Sequence, residues 1–251
     1  MQGYRLRRRG DPAECAGTLQ AAPVVAATTA SCGSRAVRTQ SFDVAVVDEA
    51  GQLTEPGTLA ALTLADRFVL VGDHNQLPPV VRAENDLTES LFERLQKQYP
   101  EASTLLNRQY RMAQRIQSFP SREFYDGRLR PATGEVAARS VTDLSGVTPT
   151  ALPAHLRERV TFLDPEGHAD GNTNPVEADA VADVVDSYLA AGLSPADIGV
   201  IAPYRAQVAT VRRRVPDDVT VDTVDRFQGS STEVIVVSFV ATGSLDGPIF
   251  E

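Results

Sequence analysis

Short apolar runs rich in valine recur along the chain, and each ends in small or polar residues. Runs of this length and composition are typical of strands buried in a parallel sheet. The predicted strands cover residues 23–27, 42–47, 67–71, 103–106, 160–163, 198–202, 219–221 and 234–239. Longer segments between them carry apolar residues at helical spacing and predict helices at 55–65, 87–99, 176–191 and 203–214.

This alternation of strands and helices predicts an α/β fold with parallel sheets. The stretch 130–159 is rich in Ala, Thr, Ser and Pro, and its weak periodicity predicts an irregular connection. With 251 residues the chain can form two domains, each with its own core. We expect these domains to cover residues 1–118 and 119–251, with the join near Phe119.

Composition narrows the functional classes. No apolar run approaches the roughly 20 residues that span a bilayer, so we expect no membrane segment. Cys15 and Cys32 form no CxxC pair, which predicts no zinc or iron–sulfur site and a reducing, cytoplasmic location. The net charge of −9 argues against a nucleic-acid partner, although binding depends on local patches rather than on the total.

Two adjacent carboxylates, Asp48 and Glu49, follow the predicted strand 42–47 in the sequence DEAGQ. Ligands of open α/β sheets bind at the carboxyl ends of strands. In a nucleotide hydrolase the first carboxylate holds Mg²⁺, usually through water, and the second accepts a proton from the attacking water. An acidic surface turn would explain an isolated Asp-Glu pair better, but Ala50 and Gly51 let the backbone turn tightly here and favour a functional loop.

A second loop, GDHNQLPP at 72–79, follows the next Val-rich strand. Its Gln76 presents a neutral amide that can bond both a γ-phosphate and an attacking water. A Pro-terminated surface loop is the alternative, which the DEAGQ sequence about 25 residues earlier disfavours.

The sequence NRQYRM, residues 107–112, offers two further side chains for a nucleotide. Tyr110 presents a face on which adenine can stack, and Arg111 presents a planar fork for phosphate oxygens. Taken alone, this sequence would more simply be the start of an amphipathic helix.

A fourth sequence, VDTVDRFQGSSTE, covers residues 221–233. Thr223 could bond a phosphate of a bound strand, and Gln228 with Gly229 forms a turn that can approach a nucleotide closely. The alternative is a strand-to-helix connection, which is common in α/β folds.

Together these four sequences resemble motifs II, III, IV and V of superfamily 1 helicases of the 5′-to-3′ branch. They are most similar to the helicase part of the replication helicase–nuclease family. The stretches FVLVGDHNQLPPVV, ESLFERL, NRQYRM, SPADIGVIAPYRAQV and VDTVDRFQG carry the resemblance, which covers about residues 24–241. It implies two RecA-like domains that close on ATP and reopen after hydrolysis, moving a single strand of nucleic acid by one step.

The resemblance also implies roles for individual residues, with ATP and Mg²⁺ as cofactors. Asp48 would bind Mg²⁺ and Glu49 would be the general base. The remaining nucleotide contacts would be Gln76 and Arg111 on the γ-phosphate, Tyr110 on adenine, and Gln228 and Gly229 in the cleft. Five positions match places where such helicases contact the strand, with DNA favoured over RNA: Thr28, Thr29, Pro203, Tyr204 and Thr223.

The sequence departs from this family in three places. It has no GxxxxGK[ST] loop, because its one lysine, Lys97, follows Gln96. The arginine-bearing helix that comes after motif V is missing before Glu251, and Ser231 stands where the family usually has an acidic residue. We therefore expect both RecA-like domains to be incomplete and the chain to be inactive in hydrolysis alone. The missing N- and C-terminal parts of the same helicase are its expected partners.

Two other functions fit parts of the pattern. The first is a non-catalytic module that keeps a single-strand-binding surface without turnover. The second is a P-loop-type ATPase of another class, or a structural α/β domain that converged on these loops.

Overall fold

The computed structural model describes residues 17, 19–79, 89–227 and 231–240. These residues form an α/β fold with small parallel sheets, which confirms the predicted class. The chain divides into two compact units, Met1–Leu105 and Leu106–Glu251. The predicted assignment of residues 1–118 and 119–251 to two domains stays a prediction.

The first unit is built around one βαβ connection. Strands β1 and β2 are parallel neighbours, with Val44 opposite Arg67 and Val47 opposite Leu70. The helix between them starts with Pro56 in its first turn, where a missing backbone N–H costs nothing. In chain order the elements are α1 (Thr29–Cys32), β1 (Phe42–Val47), a 3₁₀ turn (Ala50–Gln52), α2 (Glu55–Leu62), β2 (Ala65–Leu70), α3 (Leu91–Gln98) and a second 3₁₀ turn (Pro100–Ala102).

The valine pattern predicts burial of β1 and β2, and that prediction is wrong for part of each strand. Val46 is 67% exposed and Val69 is 50% exposed. Only one residue of the two strands, Val47, is buried. The pattern predicts the strands correctly, but burial also depends on what covers the faces of the sheet.

The second unit holds a three-stranded parallel sheet in which β5 (Ile198–Ile201) lies between β6 (Thr220–Asp222) and β7 (Val234–Val237). Val200 on the central strand lies opposite Val221 on one side and Val236 on the other. A buried apolar cluster joins this sheet to two helices, α6 and α7. These elements are α6 (Pro175–Ala190), β5 (Ile198–Ile201), α7 (Arg205–Arg212), β6 (Thr220–Asp222), α8 (Val224–Phe227) and β7 (Val234–Val237).

A smaller sheet lies earlier in the second unit. Its two strands, β3 (Arg108–Gln109) and β4 (Arg130–Pro131), are parallel and have only two residues each. Helix α4 (Gln114–Phe124) connects them, and the short helix α5 (Gly134–Ala138) follows β4. Further 3₁₀ turns lie at Val141–Asp143, Pro149–Ala151, Ala154–Arg157 and Pro195–Asp197.

Three predicted strands are wrong. Residues 23–27, 103–106 and 160–163 are irregular, and Val24 and Phe162 are 77% and 76% exposed. An apolar run becomes a strand only where a neighbour supplies hydrogen bonds, and no strand of the described chain pairs with these runs. The stretch 130–159 is mostly irregular as predicted, but it contains β4 and α5.

The helices of the described residues are all too short or too polar to cross a bilayer.

Candidate functional site

Asp48 and Glu49 stand directly after β1, at the carboxyl end of the strand. The Oδ1 atom of Asp48 accepts a hydrogen bond from the backbone N–H of Glu49 at 3.0 Å. Glu49 has left-handed backbone angles, with a φ of 53°, which are uncommon for a non-glycine residue and often mark functional sites. Its Oε2 atom accepts a hydrogen bond from Nε2 of Gln52 at 2.8 Å, so the sequence DEAGQ orients its own carboxylate.

The GDHNQLPP loop begins just after β2, beside the first loop. Asp73 organises it, because Oδ1 accepts from the backbone N–H of Asn75 at 3.1 Å. The other oxygen of Asp73 accepts from Nε2 of Gln76 at 2.9 Å. This second bond holds the side-chain amide of Gln76 at the start of its own loop.

The two loops are in direct backbone contact. The N–H of Ala50 donates to the carbonyl of Val71 at 2.9 Å, and the N–H of Val71 donates to the carbonyl of Val47 at 2.8 Å. A Cβ on Gly51 would lie 2.8 Å from the carbonyl oxygen of Asp73, and one on Gly72 would lie 2.7 Å from the nitrogen of Gly51. The structure therefore brings together the loops that carry Asp48, Glu49 and Gln76, and glycine makes this approach possible.

The donor set at this edge of the sheet is compatible with Mg²⁺. Hard carboxylate oxygens suit this ion, which is usually held by one or two carboxylates together with waters and phosphate oxygens. Asp48 is exposed at the strand end and has an oxygen beyond the one that caps Glu49. Among the described residues, no cluster of three or more acidic, histidine or cysteine side chains could form a complete protein cage for a metal.

Thr28 and Thr29 lie at the beginning of α1 in the same unit. Thr28 is the N-cap residue, and its side-chain oxygen accepts from the backbone N–H of Ser31 at 3.3 Å. Thr28 is exposed and Thr29 is half-buried. Their predicted contact with a strand stays a prediction.

Tyr110 and Arg111 project from a tight turn in the second unit. The side chain of Gln109 closes this turn: Oε1 accepts from the N–H of Arg111 at 2.9 Å and of Met112 at 2.7 Å. Its Nε2 atom donates to the carbonyl of Met112 at 2.7 Å. Tyr110 is 71% exposed, so its ring is available for stacking.

The carboxyl edge of the three-stranded sheet carries the remaining described candidates. Pro203 and Tyr204 follow β5, and Thr223 follows β6, which is its parallel neighbour. The N–H of Ala202 donates to the carbonyl of Asp222 at 3.1 Å, which keeps the two strand ends side by side. Gln228 and Gly229 lie outside the described residues.

Comparison with known proteins assigns the chain to a family. A family model described as an AAA domain matches residues 87–247, and a second model with the same description matches residues 5–84. The chain belongs to the AAA domain family. In this family the parallel sheets of the two units are those of the RecA-like fold that the motifs predict.

Curated relatives of this AAA domain protein are helicases by name. The DNA replication ATP-dependent helicase/nuclease DNA2 of Xenopus laevis is 37% identical over 90% of this chain and 24% of its own length. An uncharacterized ATP-dependent helicase of Methanocaldococcus jannaschii is 36% identical over 89% of the chain and 35% of its own length. The DNA polymerase alpha-associated DNA helicase A of Schizosaccharomyces pombe is 34% identical over 95% of this chain and 38% of its own length.

These matches confirm the resemblance to superfamily 1 helicases that the four motifs indicate. The AAA domain chain spans about a quarter to two fifths of the length of these three relatives. What the relatives' names say they act on is therefore a proposal for this chain.

Sequence reasoning missed Gln109, although it lies inside a motif that was singled out. The motif directs attention to the exposed Tyr110 and Arg111, whereas Gln109 acts on backbone atoms of its own turn. A polar residue that comes directly before two candidate side chains was the available signal, because amides can bond both N–H and C=O groups at once.

Proposed function

We propose that this chain is the motor part of an ATP-dependent helicase that moves along single-stranded DNA. The observation that carries the proposal is the backbone contact between the DEAGQ and GDHNQLPP loops at the carboxyl ends of β1 and β2. This is where α/β folds bind phosphates and perform chemistry on them. The helicase names of the relatives supply the substrate class.

Glu49 is the general base of the proposed hydrolysis. It accepts the proton of a water whose oxygen attacks the γ-phosphorus, while the bond to the bridging β-γ oxygen breaks and ADP leaves. Gln52 bonds one oxygen of Glu49 at 2.8 Å and thereby fixes the direction of the other. Gln76, restrained through Asp73, orients the same water and senses the γ-phosphate.

Asp48 is the residue that would hold Mg²⁺ at this edge. When bound, the ion neutralises charge on the β- and γ-phosphates. The Asp48 carboxylate is already oriented, because Oδ1 accepts the N–H of Glu49. For the second unit, the roles proposed by the resemblance are a fork for phosphate oxygens at Arg111 and a ring for adenine at Tyr110.

The proposed strand contacts are Tyr204 and Pro203 after β5, Thr223 after β6, and Thr28 with Thr29 on α1. In the second unit, the Tyr204 ring and the Thr223 hydroxyl follow neighbouring strand ends and match the way proteins hold single strands, by base stacking and phosphate bonding. The acidic total charge does not conflict with this assignment, because a single strand contacts a local surface.

A phosphate-release assay tests the general base. A polypeptide in which a GxxxxGK[ST] region precedes this chain and an arginine-bearing helix follows it should hydrolyse ATP faster when single-stranded DNA is added. Glu49→Gln should lower that rate by about 10²–10⁴-fold. The matched control is Glu101→Gln, an exposed carboxylate in a 3₁₀ turn of the same unit, which should leave the rate unchanged. A Glu49→Gln variant with the parental rate would refute the proposed base.

Fluorescence anisotropy with a labelled oligothymidylate tests strand binding by the chain itself. Tyr204→Ala should weaken binding by about tenfold, the usual effect of losing one stacked base. Tyr99→Ala, which removes a 47% exposed ring at the end of α3, is the control and should bind normally. Equal affinity of both variants would contradict the assigned strand surface.

A further inference from the structure

Arg108 and Arg130 are a like-charged pair on neighbouring strands. They are register partners in the parallel pairing of β3 with β4, whose chains run about 4.8 Å apart as in any sheet. Like charges placed directly opposite each other destabilise a sheet. Within the described residues neither guanidinium takes part in an ion pair, although other arginines such as Arg139 and Arg214 do.

Both arginines line one cavity of about 660 Å³ between α4 and the segment formed by β4 and α5. A third arginine, Arg122, reaches it but is paired with the adjacent Glu123 at 2.8 Å. Within the part of the chain that the structure describes, no aspartate or glutamate lines the cavity. In a chain with a net charge of −9 this is a local concentration of positive charge without compensation.

Two polar residues that line the cavity, Gln117 and Ser121, are buried and hydrogen-bonded. Gln117 and Ser121 are 3% and 5% exposed, and both donate to the carbonyl of Leu129, at 2.6 Å and 2.8 Å. These bonds fix α4 against the strand that carries Arg130. The backbone beside Arg130 is therefore restrained, and Ser118 and Thr133 add hydroxyls to the wall of the cavity.

We propose that Arg108 and Arg130 bind a phosphate group of a ligand that enters this cavity. An anion between the two guanidinium groups would turn their mutual repulsion into attraction on both sides, through charge-assisted hydrogen bonds. The volume is in the range of pockets that hold nucleotide-sized ligands. The phosphate can belong to a nucleic-acid strand or to a free nucleotide, since both carry the same group.

This site does not depend on the proposed hydrolysis. None of its lining residues is among the residues assigned to ATP, Mg²⁺ or the strand. Phosphate binding in the cavity can therefore fail while hydrolysis at Glu49 holds, and the reverse also applies.

Thermal unfolding of the full 251-residue chain in inorganic phosphate tests the pair. Phosphate should raise the unfolding temperature above that in potassium chloride of equal ionic strength, since a ligand that binds only the folded state stabilises it. Arg130→Gln and Arg108→Gln should each weaken phosphate binding by about tenfold or more, the effect of losing a hydrogen bond to a charged group. Without phosphate at low salt, both variants should be at least as stable as the parent.

The matched control is Arg115→Gln. Arg115 is an exposed arginine on α4 that does not line the cavity, so this variant should keep the full phosphate effect. Phosphate protection that is absent from the parent, or equal in Arg130→Gln and Arg115→Gln, would overturn the proposal. The low-salt comparison distinguishes loss of the site from a folding defect, because misfolded variants would be less stable than the parent without phosphate.

Competition identifies the source of the phosphate. If an oligothymidylate displaces phosphate from the parent, and if its effect on Arg130→Gln is the same with and without phosphate, the site belongs to a strand. Displacement by ADP with the same dependence on Arg130 assigns it to a nucleotide. If neither competes, the proposed class of ligand is wrong.

Discussion

Gly72 lies against Gly51 so closely that no side chain fits on either residue. A Cβ on Gly72 would stand 2.7 Å from the backbone nitrogen of Gly51, and one on Gly51 would stand 2.8 Å from the carbonyl oxygen of Asp73. The atoms in the way belong to the backbone, so they cannot rotate aside. This contact fixes the spacing between the loop of Glu49 and the loop of Gln76.

Gly72→Ala should destabilise the first unit by about 1–3 kcal/mol, the usual cost of forcing an extra carbon into a filled space. Urea unfolding measures this loss of stability, and hydrogen exchange of the β1 and β2 amides locates it in the first unit. Gly57→Ala is the control, because Gly57 lies inside α2 with no atom nearer than 3.4 Å to a new Cβ. Gly57→Ala should stabilise the first unit by about 0.5–1 kcal/mol. Equal losses of stability in Gly72→Ala and Gly57→Ala would contradict the predicted effect of the Gly72 contact.

Gln109→Met should loosen the turn that presents Tyr110 and Arg111, since it removes three hydrogen bonds and keeps the length of the side chain. Hydrogen exchange at the amides of Arg111 and Met112 should become about tenfold faster or more, the effect of losing roughly 1–2 kcal/mol of local protection. Gln98→Met, on the exposed end of α3, should leave these amides unchanged. Unchanged exchange in Gln109→Met would show that the turn is held by other contacts.

Gln207→Leu should be among the most destabilising single changes in the second unit. Gln207 is fully buried, accepts from the N–H of Asn174 at 2.9 Å, and donates to the Asn174 carbonyl and the Ser238 hydroxyl at 3.1 and 3.0 Å. Leucine would leave the N–H of Asn174 and the hydroxyl of Ser238 unpaired, at a cost of about 1–3 kcal/mol for each group that water cannot reach. The Asn174 carbonyl would keep the hydrogen bond that it accepts from the N–H of Ala178 at 3.0 Å. Denaturant unfolding measures the loss of stability. A smaller loss in Gln207→Leu than in Gln98→Leu, which changes an exposed residue, would contradict the prediction.

Tyr188 should make the second unit sensitive to alkali. Burial raises the pKa of its phenol above the ordinary value of 10.0, and the hydroxyl donates to the carbonyl of Leu156 at 3.0 Å. Because the unfolded chain releases this proton first, the stabilising effect is complete below about pH 10 and is lost as the pH rises toward the folded pKa. Tyr188→Phe should lower stability by about 1 kcal/mol at neutral pH.

The dependence of stability on pH separates the effect of the raised Tyr188 pKa from that of the hydrogen bond to Leu156. Above about pH 10 the parent should lose stability more steeply than Tyr188→Phe, which has no proton to release at this position. Tyr99→Phe, which changes a 47% exposed tyrosine, should keep the steep parental profile. Parallel profiles for the parent and Tyr188→Phe would show that the buried phenol does not titrate as described.

The sequence predicts the longer strands that have partners and the loops that follow two of them. Runs 42–47 and 67–71 coincide with β1 and β2 to within two residues, and the predicted DEAGQ and GDHNQLPP loops follow them. The run 160–163 shows the same apolar pattern but is irregular, since pairing depends on distant backbone that local pattern does not describe.

Two features of the second unit were out of reach for the same reason. Strands β3 and β4 have two residues each, which is too short for any periodicity, so the juxtaposition of Arg108 with Arg130 emerges only in three dimensions. The three bonds of Gln109 are made to backbone atoms, which sequence pattern does not display.

The paired loops after β1 and β2 are proposed to bind the phosphates of ATP together with Mg²⁺. Amide chemical shifts of the full chain, recorded during a titration with Mg²⁺ and ATP, test this proposal directly and detect weak binding. Shift changes should concentrate at residues 48–52 and 72–77 and should be strongly reduced in Asp48→Asn. They should persist in Asp43→Asn, which changes an exposed carboxylate near the start of β1. Changes that avoid both loops, or that survive unaltered in Asp48→Asn, would contradict the account.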